Sequence, residues 1–290
     1  MRAFNVELAQ IRDSTSHPTI AQMRIEFWSN VIDEIYNENN KNAFSYRGQP
    51  IAWEIKSVNF VLLIIIFFII YFIFFFSFQI YKSDENKLSK HWFKKLINSR
   101  VDVCVNDFPF NSIQDLENYA ESSVSPVYYL LIEYMNFSQQ LSPAKRIQLD
   151  HIASHTGKAQ GIVNMLRGIP FNAKANRCYV PNDLLVKHKI SHEDFLRGKQ
   201  SQNMNDVCYD IACMAKQHTE QAEQLIKQIS SNEKLLFLPL YNIRKYLLQL
   251  EKYYFNVFHS KLSLRRGMLP LNLWFQSIKI RFGLRWFSNF

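Results

Sequence analysis

Cysteine is scarce: four (Cys104, Cys178, Cys208, Cys213) in 290 residues. That excludes the disulfide framework of a small secreted domain. No CxxC pair occurs, so the usual structural zinc site is not expected, and a reducing compartment is. Glycine (7) and proline (9) are also few, which excludes collagen-like, low-complexity and wholly disordered chains. No convincing alternating strand pattern appears, nor any repeat of 20–50 residues. Acidic residues are outnumbered, 25 Asp/Glu against 34 Lys/Arg, for a net charge of +9. The excess is C-terminal: residues 1–57 hold six basic and seven acidic side chains, residues 80–290 hold 28 and 18. Such a balance suits an anionic membrane surface or nucleic acid, and equally a soluble basic protein.

What is present in quantity is apolar helix. Phe4, Leu8 and Ile11 fall on one helical face. His17-Pro18-Thr19 opens a second helix, with Ile20, Met23, Phe27, Val31 and Ile35 at steps of three and four. Asn37–Gly48 is polar and reads as a loop, and His91–Ile97 as a basic helix. Longer helices are expected over Gln114–Asn136, from Ser142-Pro143 to a stop at Gly168 and Pro170, over Asn205–Ile229, over Leu236–Phe258 and over Leu269–Phe287. Ser191 followed by Asp194 has capping-box spacing ahead of a short helix. The fold class is all-α, a single domain.

One block stands apart. Val58–Gln79 is 22 residues without a charge, eight of them Phe, a third of the chain's 24. Its length matches a bilayer core, where only a helix satisfies the backbone. Six Lys/Arg in 80–100 against three in 38–57 would place the C-terminal part inside. Val58, Phe67 and Phe78 would mark the membrane segment. A second reading is a translated intron. Val58-Asn59 and Phe78-Gln79 are codable as splice donor and acceptor, and 22 codons keep the frame. On that reading the block is excluded from fold reasoning. The expected organisation is 1–57, N-terminal helices; 58–79, apolar insertion; 80–290, the main part of the domain.

Between His151 and Asp194 a specific pattern appears. Gly157-Lys158-Ala159-Gln160, then Asn164, Leu166 and Arg167, then Tyr179, Pro181, Asp183, Ser191, Glu193 and Asp194 resemble the squalene/phytoene synthase superfamily. The resemblance implies an isoprenoid-synthase-like helical bundle with a central cavity. Those enzymes ionise a prenyl diphosphate held by magnesium, which two Asp-rich motifs bind, because so charged a leaving group needs neutralising. Here the second motif has become Arg167-Gly168-Ile169-Pro170-Phe171-Asn172, without an acid. The first aligns with Ala9-Gln10-Ile11-Arg12-Asp13, and only Asp13 remains. One carboxylate beside Arg12 does not assemble a magnesium cluster, and a helix-end salt bridge is its expected role. Asp13, Gln160, Asn164 and Arg167 are therefore the expected remnants of the cavity, with no catalytic, cofactor-binding or metal-binding residue.

A narrower set, including RAFNVELAQIRDS, LENYAES, DHIASHTGKAQGIV and LPLNLWFQS, resembles the mitochondrial complex I assembly factor six family, a catalytically degenerate branch. Met1 stands where that family is already inside its domain, so a targeting segment and first helix are expected upstream. The resemblance implies a non-enzymatic factor for early complex I assembly at the matrix side of the mitochondrial inner membrane. It would act on a mitochondrially encoded membrane-arm subunit and touch surface lipids, without cofactor or nucleic acid. The alternative is a prenyl-diphosphate transferase or isoprenoid-binding protein using the same cavity.

Other features have plainer readings. His151 and His155 are spaced to share a helix face, but lack the Glu and third ligand of an HExxH zinc site, so packing or capping is expected. Cys208 and Cys213 read as buried thiols. Tyr119, Tyr128, Tyr129 and Tyr134 could line a prenyl cavity, though such stripes are more often core. Lys87, Lys90, Lys94 and Lys95 with Trp92 and Phe93 suit anionic lipid or a solvated face in equal measure, and the C-terminal LWFQSIKIRFGLRWF suits lipid too. Gly157, Ala159 and Gly161 imply the close approach of a neighbouring helix.

Overall fold

The computed structural model describes residues 1–15, 17–37, 49–56, 88–101, 103, 110–263 and 269–282. The apolar block Val58–Gln79, the polar stretch 38–48, Lys87 and Cys104 lie outside the described residues. Among the described residues every regular element is helical, and no helix is long and apolar enough to cross a membrane. The chain divides into two compact units, residues 1–106 with 129–143, and residues 107–128 with 144–290.

The first unit contains α1 (Arg2–Gln10), α2 (Pro18–Ile35), α3 (Pro50–Lys56), α4 (Lys90–Asn98) and the C-terminal part of α5 (Ile113–Gln139). Phe4, Leu8 and Ile11 are buried as their spacing predicts. Phe4 meets Trp28 and Phe93 edge-on, with ring centroids 5.3 and 5.7 Å apart, an arrangement that aromatic quadrupoles favour. Helix α2 starts on Pro18, whose missing N–H costs nothing in a first turn. Its buried face corrects the sequence reading. Ala21, Ile25, Trp28, Val31 and Ile32 face the core, while Ile20 and Met23 are exposed. Two apolar stripes overlap on this helix, and the one carrying the bulk of Trp28 beside the small Ala21 is the one that packs.

The second unit holds the first part of α5 and α6 (Pro143–Lys174), α7 (Asn182–Lys187), α8 (His192–Leu196), α9 (Gln202–Ile226), α10 (Ser231–Lys234), α11 (Pro239–Lys252), α12 (Ser260–Ser263) and α13 (Leu269–Arg281). Helix α6 does not stop at Gly168 and Pro170 but runs to Lys174. Pro170 removes one backbone hydrogen bond, a cost of about 3 kcal/mol. Burial of Ile169 and Ala173, which continue the face of Ile162 and Leu166, outweighs it. The Leu236–Phe258 stretch is likewise corrected. It is a 3-10 turn at Leu235–Phe237, then α11, ended by Tyr254 and Phe255 at φ 51° and 58°, left-handed values that cannot continue a helix. The Ser191–Asp194 capping box forms as spaced.

Candidate functional site

The remnant-cavity residues fall in different units. Asp13 lies in the first, exposed in the turn after α1. Gln160, Asn164 and Arg167 lie in the second, one turn apart along α6, which places them on one face. The Tyr128 hydroxyl donates a hydrogen bond to the Gln160 amide oxygen. Tyr128 is 2% exposed and lies roughly parallel to Phe237, so it is core. The Arg167 guanidinium sits 5.8 Å from the centre of the Tyr246 ring, whose hydroxyl pKa burial pushes up. Asn164 is exposed.

The stretch aligned with the second Asp-rich motif, Arg167–Asn172, is an uninterrupted part of α6. It presents Phe171, 59% exposed, and the half-buried Asn172. A small pocket beside it is lined by Met165, Ile169, Asn172, Arg177, Tyr179 and Phe195 among others; its wall has a guanidinium and no carboxylate. Among the described residues no group of three or more His, Cys, Asp or Glu is placed to hold a metal ion. A diphosphate–magnesium cluster needs several convergent carboxylates, and the α6 segment brings none.

The polar chemistry of the second unit gathers instead where α5, α6 and α9 meet. Lys158 donates to Glu117 at 2.8 Å, and His218 Nε2 lies 3.4 Å from the same carboxylate. The Nδ1 atoms of His155 and His218 are 3.0 Å apart, so one ring donates and the other accepts. Glu121 accepts from the hydroxyls of Ser125 and Ser154, each at 2.9 Å. Burial holds both histidines below their ordinary pKa; for His155 the neighbouring charge of His218 adds to this, and for His218 Glu117 opposes it. Burial alone would raise Glu117, but the bond and charge of Lys158 outweigh it and hold the carboxyl below its usual range. The cluster therefore rests as a neutral imidazole pair beside an ion pair, a seam that joins three helices. His155 thus has a packing partner, but it is His218, 63 residues away. His151, its sequence-spaced companion, is exposed.

The remaining aromatic and thiol assignments divide. Tyr119 packs against Phe110 in the second unit. Tyr129 lies 4.5 Å from Trp92 in the first, and Tyr134 is half-buried there. Cys208 is fully buried, its thiol pushed up to about 12. Cys213, expected to be buried, is only half so and hydrogen-bonds Tyr209.

The basic helix α4 is committed within the first unit. Lys90 and Lys94 both pair with Asp33, at 2.7 and 2.6 Å, and their hydrogen bonds hold that carboxyl low. Lys94 also donates to Ser29, Phe93 is core, and Lys95 lies over the Trp92 ring. Glu133 accepts from the Ser89 amide, the Ser89 hydroxyl and the Trp92 indole at 2.9, 2.6 and 3.0 Å. It thereby caps the α4 N-terminus from α5. No local sequence signal announces this contact, which spans 44 residues. Lys90, Lys94 and Trp92 thus have partners within the first unit.

The family model for squalene/phytoene synthase matches residues 1–268. A Bos taurus protein named NADH dehydrogenase (ubiquinone) complex I, assembly factor 6 is 35% identical over 283 residues, covering 97% of this chain and 73% of that protein. The Homo sapiens protein of the same name is 34% identical, with 96% and 72% covered. Among solved structures, squalene synthase HpnC from Alicyclobacillus acidocaldarius aligns with a TM-score of 0.60 at 14% identity, covering 88% of this chain and 81% of that one. A dehydrosqualene synthase aligns at 0.59 and 12%, covering 97% and 92%. At such identities these two structures speak for the fold, an all-α isoprenoid-synthase fold.

Proposed function

The chain belongs to the squalene/phytoene synthase family, and on that premise we propose that it is a non-enzymatic factor for the assembly of respiratory complex I. The observation that carries the reading is its 35% identity, over 97% of its length, to a protein named complex I assembly factor 6. The α6 segment adds a chemical reason. A prenyl-diphosphate synthase needs acids on this helix to hold magnesium against the leaving group. Between Arg167 and Lys174 the chain has none. The client is a membrane-arm subunit, met at the matrix side of the mitochondrial inner membrane, and the fold serves as a scaffold.

Two assays test this. In cells depleted of the protein, complex I should fall on native gels while the other respiratory complexes persist; unchanged complex I sinks the proposal. Purified protein given farnesyl or geranylgeranyl diphosphate with magnesium should release no diphosphate. Turnover above a protein-free control would favour the prenyltransferase reading instead.

A further inference from the structure

We propose that the outer face of α13 docks in the plane of an anionic bilayer surface. This helix has one packed face and one exposed apolar face. One packs inward, with Ile280 at 2% and Gln276 at 7% exposure. Leu271, Trp274, Phe275, Ile278 and Phe282 recur at steps of three and four, and at about 100° per residue they share a sector of about 100° on the opposite side. Four of the five are large and open to solvent: Leu271 49%, Trp274 44%, Phe275 55% and Phe282 76%. Phe282 extends the stripe by one residue, its amide bonding the Ile278 carbonyl. A row of this length is not the scattered apolar exposure of an ordinary surface.

The flanks identify the occupant. Lys279 and Arg281 fall on opposite borders of the stripe. From Lys252 to the last residue the chain has seven Lys/Arg and no Asp or Glu. An apolar stripe with an amphipathic Trp, bordered on both sides by cations, is the arrangement of a helix lying at a bilayer interface. The contrast with α4 is informative. That helix also joins Trp to lysines, but Asp33 and Glu133 occupy its polar groups. On α13 the aromatic stripe is left open to solvent.

The inference rests on the proposed function only for which membrane is met, and vesicles test it without any complex I subunit. The full chain is incubated with phosphatidylcholine vesicles and with phosphatidylcholine–cardiolipin vesicles, and amide exchange is followed in the peptide covering 269–282. This local readout is independent of how any other segment meets lipid. Anionic vesicles should slow exchange in α13 about 10-fold or more, the effect of burying one large apolar side chain. About 0.5 M salt should reverse much of it. Trp274→Ser with Phe275→Ser should abolish the protection, as should Lys279→Glu with Arg281→Glu, a pair that leaves the aromatic stripe in place. Val186→Ser, at a comparably exposed apolar site on α7, should leave it unchanged. Unchanged exchange on anionic vesicles, equal protection by neutral ones, or protection that survives both double variants would overturn the proposal. Protection that grows with protein concentration without vesicles would overturn it too, by assigning the stripe to a second copy. Loss of vesicle protection would leave the assembly role standing, and loss of the assembly role would leave the vesicle result standing.

Discussion

The α5–α6 contact can be tested with one substitution type at three sites on the same helix. A Cβ on Gly157 would sit 2.1 Å from Ser125 Oγ and 2.6 Å from Ser125 Cα. A Cβ on Gly161 would sit 2.5 Å from Ala120 Cβ and 2.7 Å from its Cα. Carbon atoms rest at about 3.5–4.0 Å, so each added methyl lacks about 1 Å, and the obstacle includes backbone that no rotamer can remove. Helix propensity favours Gly→Ala by about 1 kcal/mol. Overpacking against backbone belongs at the upper end of its range of about 1–3 kcal/mol. The net effect of Gly157→Ala or Gly161→Ala is then a loss of about 2 kcal/mol, or a fall in Tm of about 4–6 °C for a chain of this size. Gly168 is the control. Its Cβ would meet only Asn172 Nδ2, at 3.2 Å, the end of a flexible side chain on its own helix. Gly168→Ala should leave Tm unchanged or raise it by about 2 °C. Gly157→Leu should fall furthest, while His151→Ala, at an exposed site, should change little. Thermal unfolding by circular dichroism reads all five. Equal melting of the three alanine variants, or Gly168→Ala as the worst of them, would refute the close-approach argument.

The histidine seam makes stability depend on pH. Both imidazoles have folded pKa values below the ordinary value of about 6.5. Their contribution is complete above that value and is lost as pH falls through it, so Tm should drop between about pH 7.5 and 5.5. His218→Gln should flatten that slope, and an unchanged slope would refute the assignment. Glu117 is also held low, but its loss belongs to more acidic pH, where its own carboxyl protonates. Removing the α4 cap by Glu133→Ala leaves three donors without their acceptor and should cost about 2–3 kcal/mol, against about 1 for Glu133→Gln, by urea denaturation. Gly168→Asp with Phe171→Glu and Asn172→Asp should not create an enzyme, because Ala9 and Gln10 still leave the first motif without its acid pair. Magnesium-dependent diphosphate release by that variant would contradict the reading.

What the sequence made legible was local. The core face of α1, the Pro18 start of α2 and the Ser191–Asp194 capping box each depend on residues within a few turns, and they stand as expected. The expectations that failed were settled by tertiary contacts. Pro170 carries the usual stop signal, yet neighbours packing on Ile169 and Ala173 keep α6 helical. Ile20 and Met23 have helical spacing, but Trp28 fixes a different face inward. The site was least visible. The partners His155 and His218 are 63 residues apart, and Glu133 caps a helix whose Ser89 lies 44 residues before it. No local pattern marks either pairing, since both depend on which helices become neighbours. The basic-aromatic helices α4 and α13 looked alike in the sequence, and only the exposure of their aromatics separates them.

The central claim, complex I assembly without chemistry, is tested most directly by rescue. Cells lacking the protein are supplied with the wild-type chain or with Asp13→Asn, and assembled complex I is quantified on native gels. Asp13 is the sole acid left at the aligned motif positions, and it is exposed, so the amide should not disturb folding. The account predicts that both chains restore complex I equally. Failure of the wild-type chain would contradict the assembly role. Failure of Asp13→Asn alone, with its melting temperature unchanged, would show that a carboxylate performs chemistry there and would contradict the non-enzymatic reading.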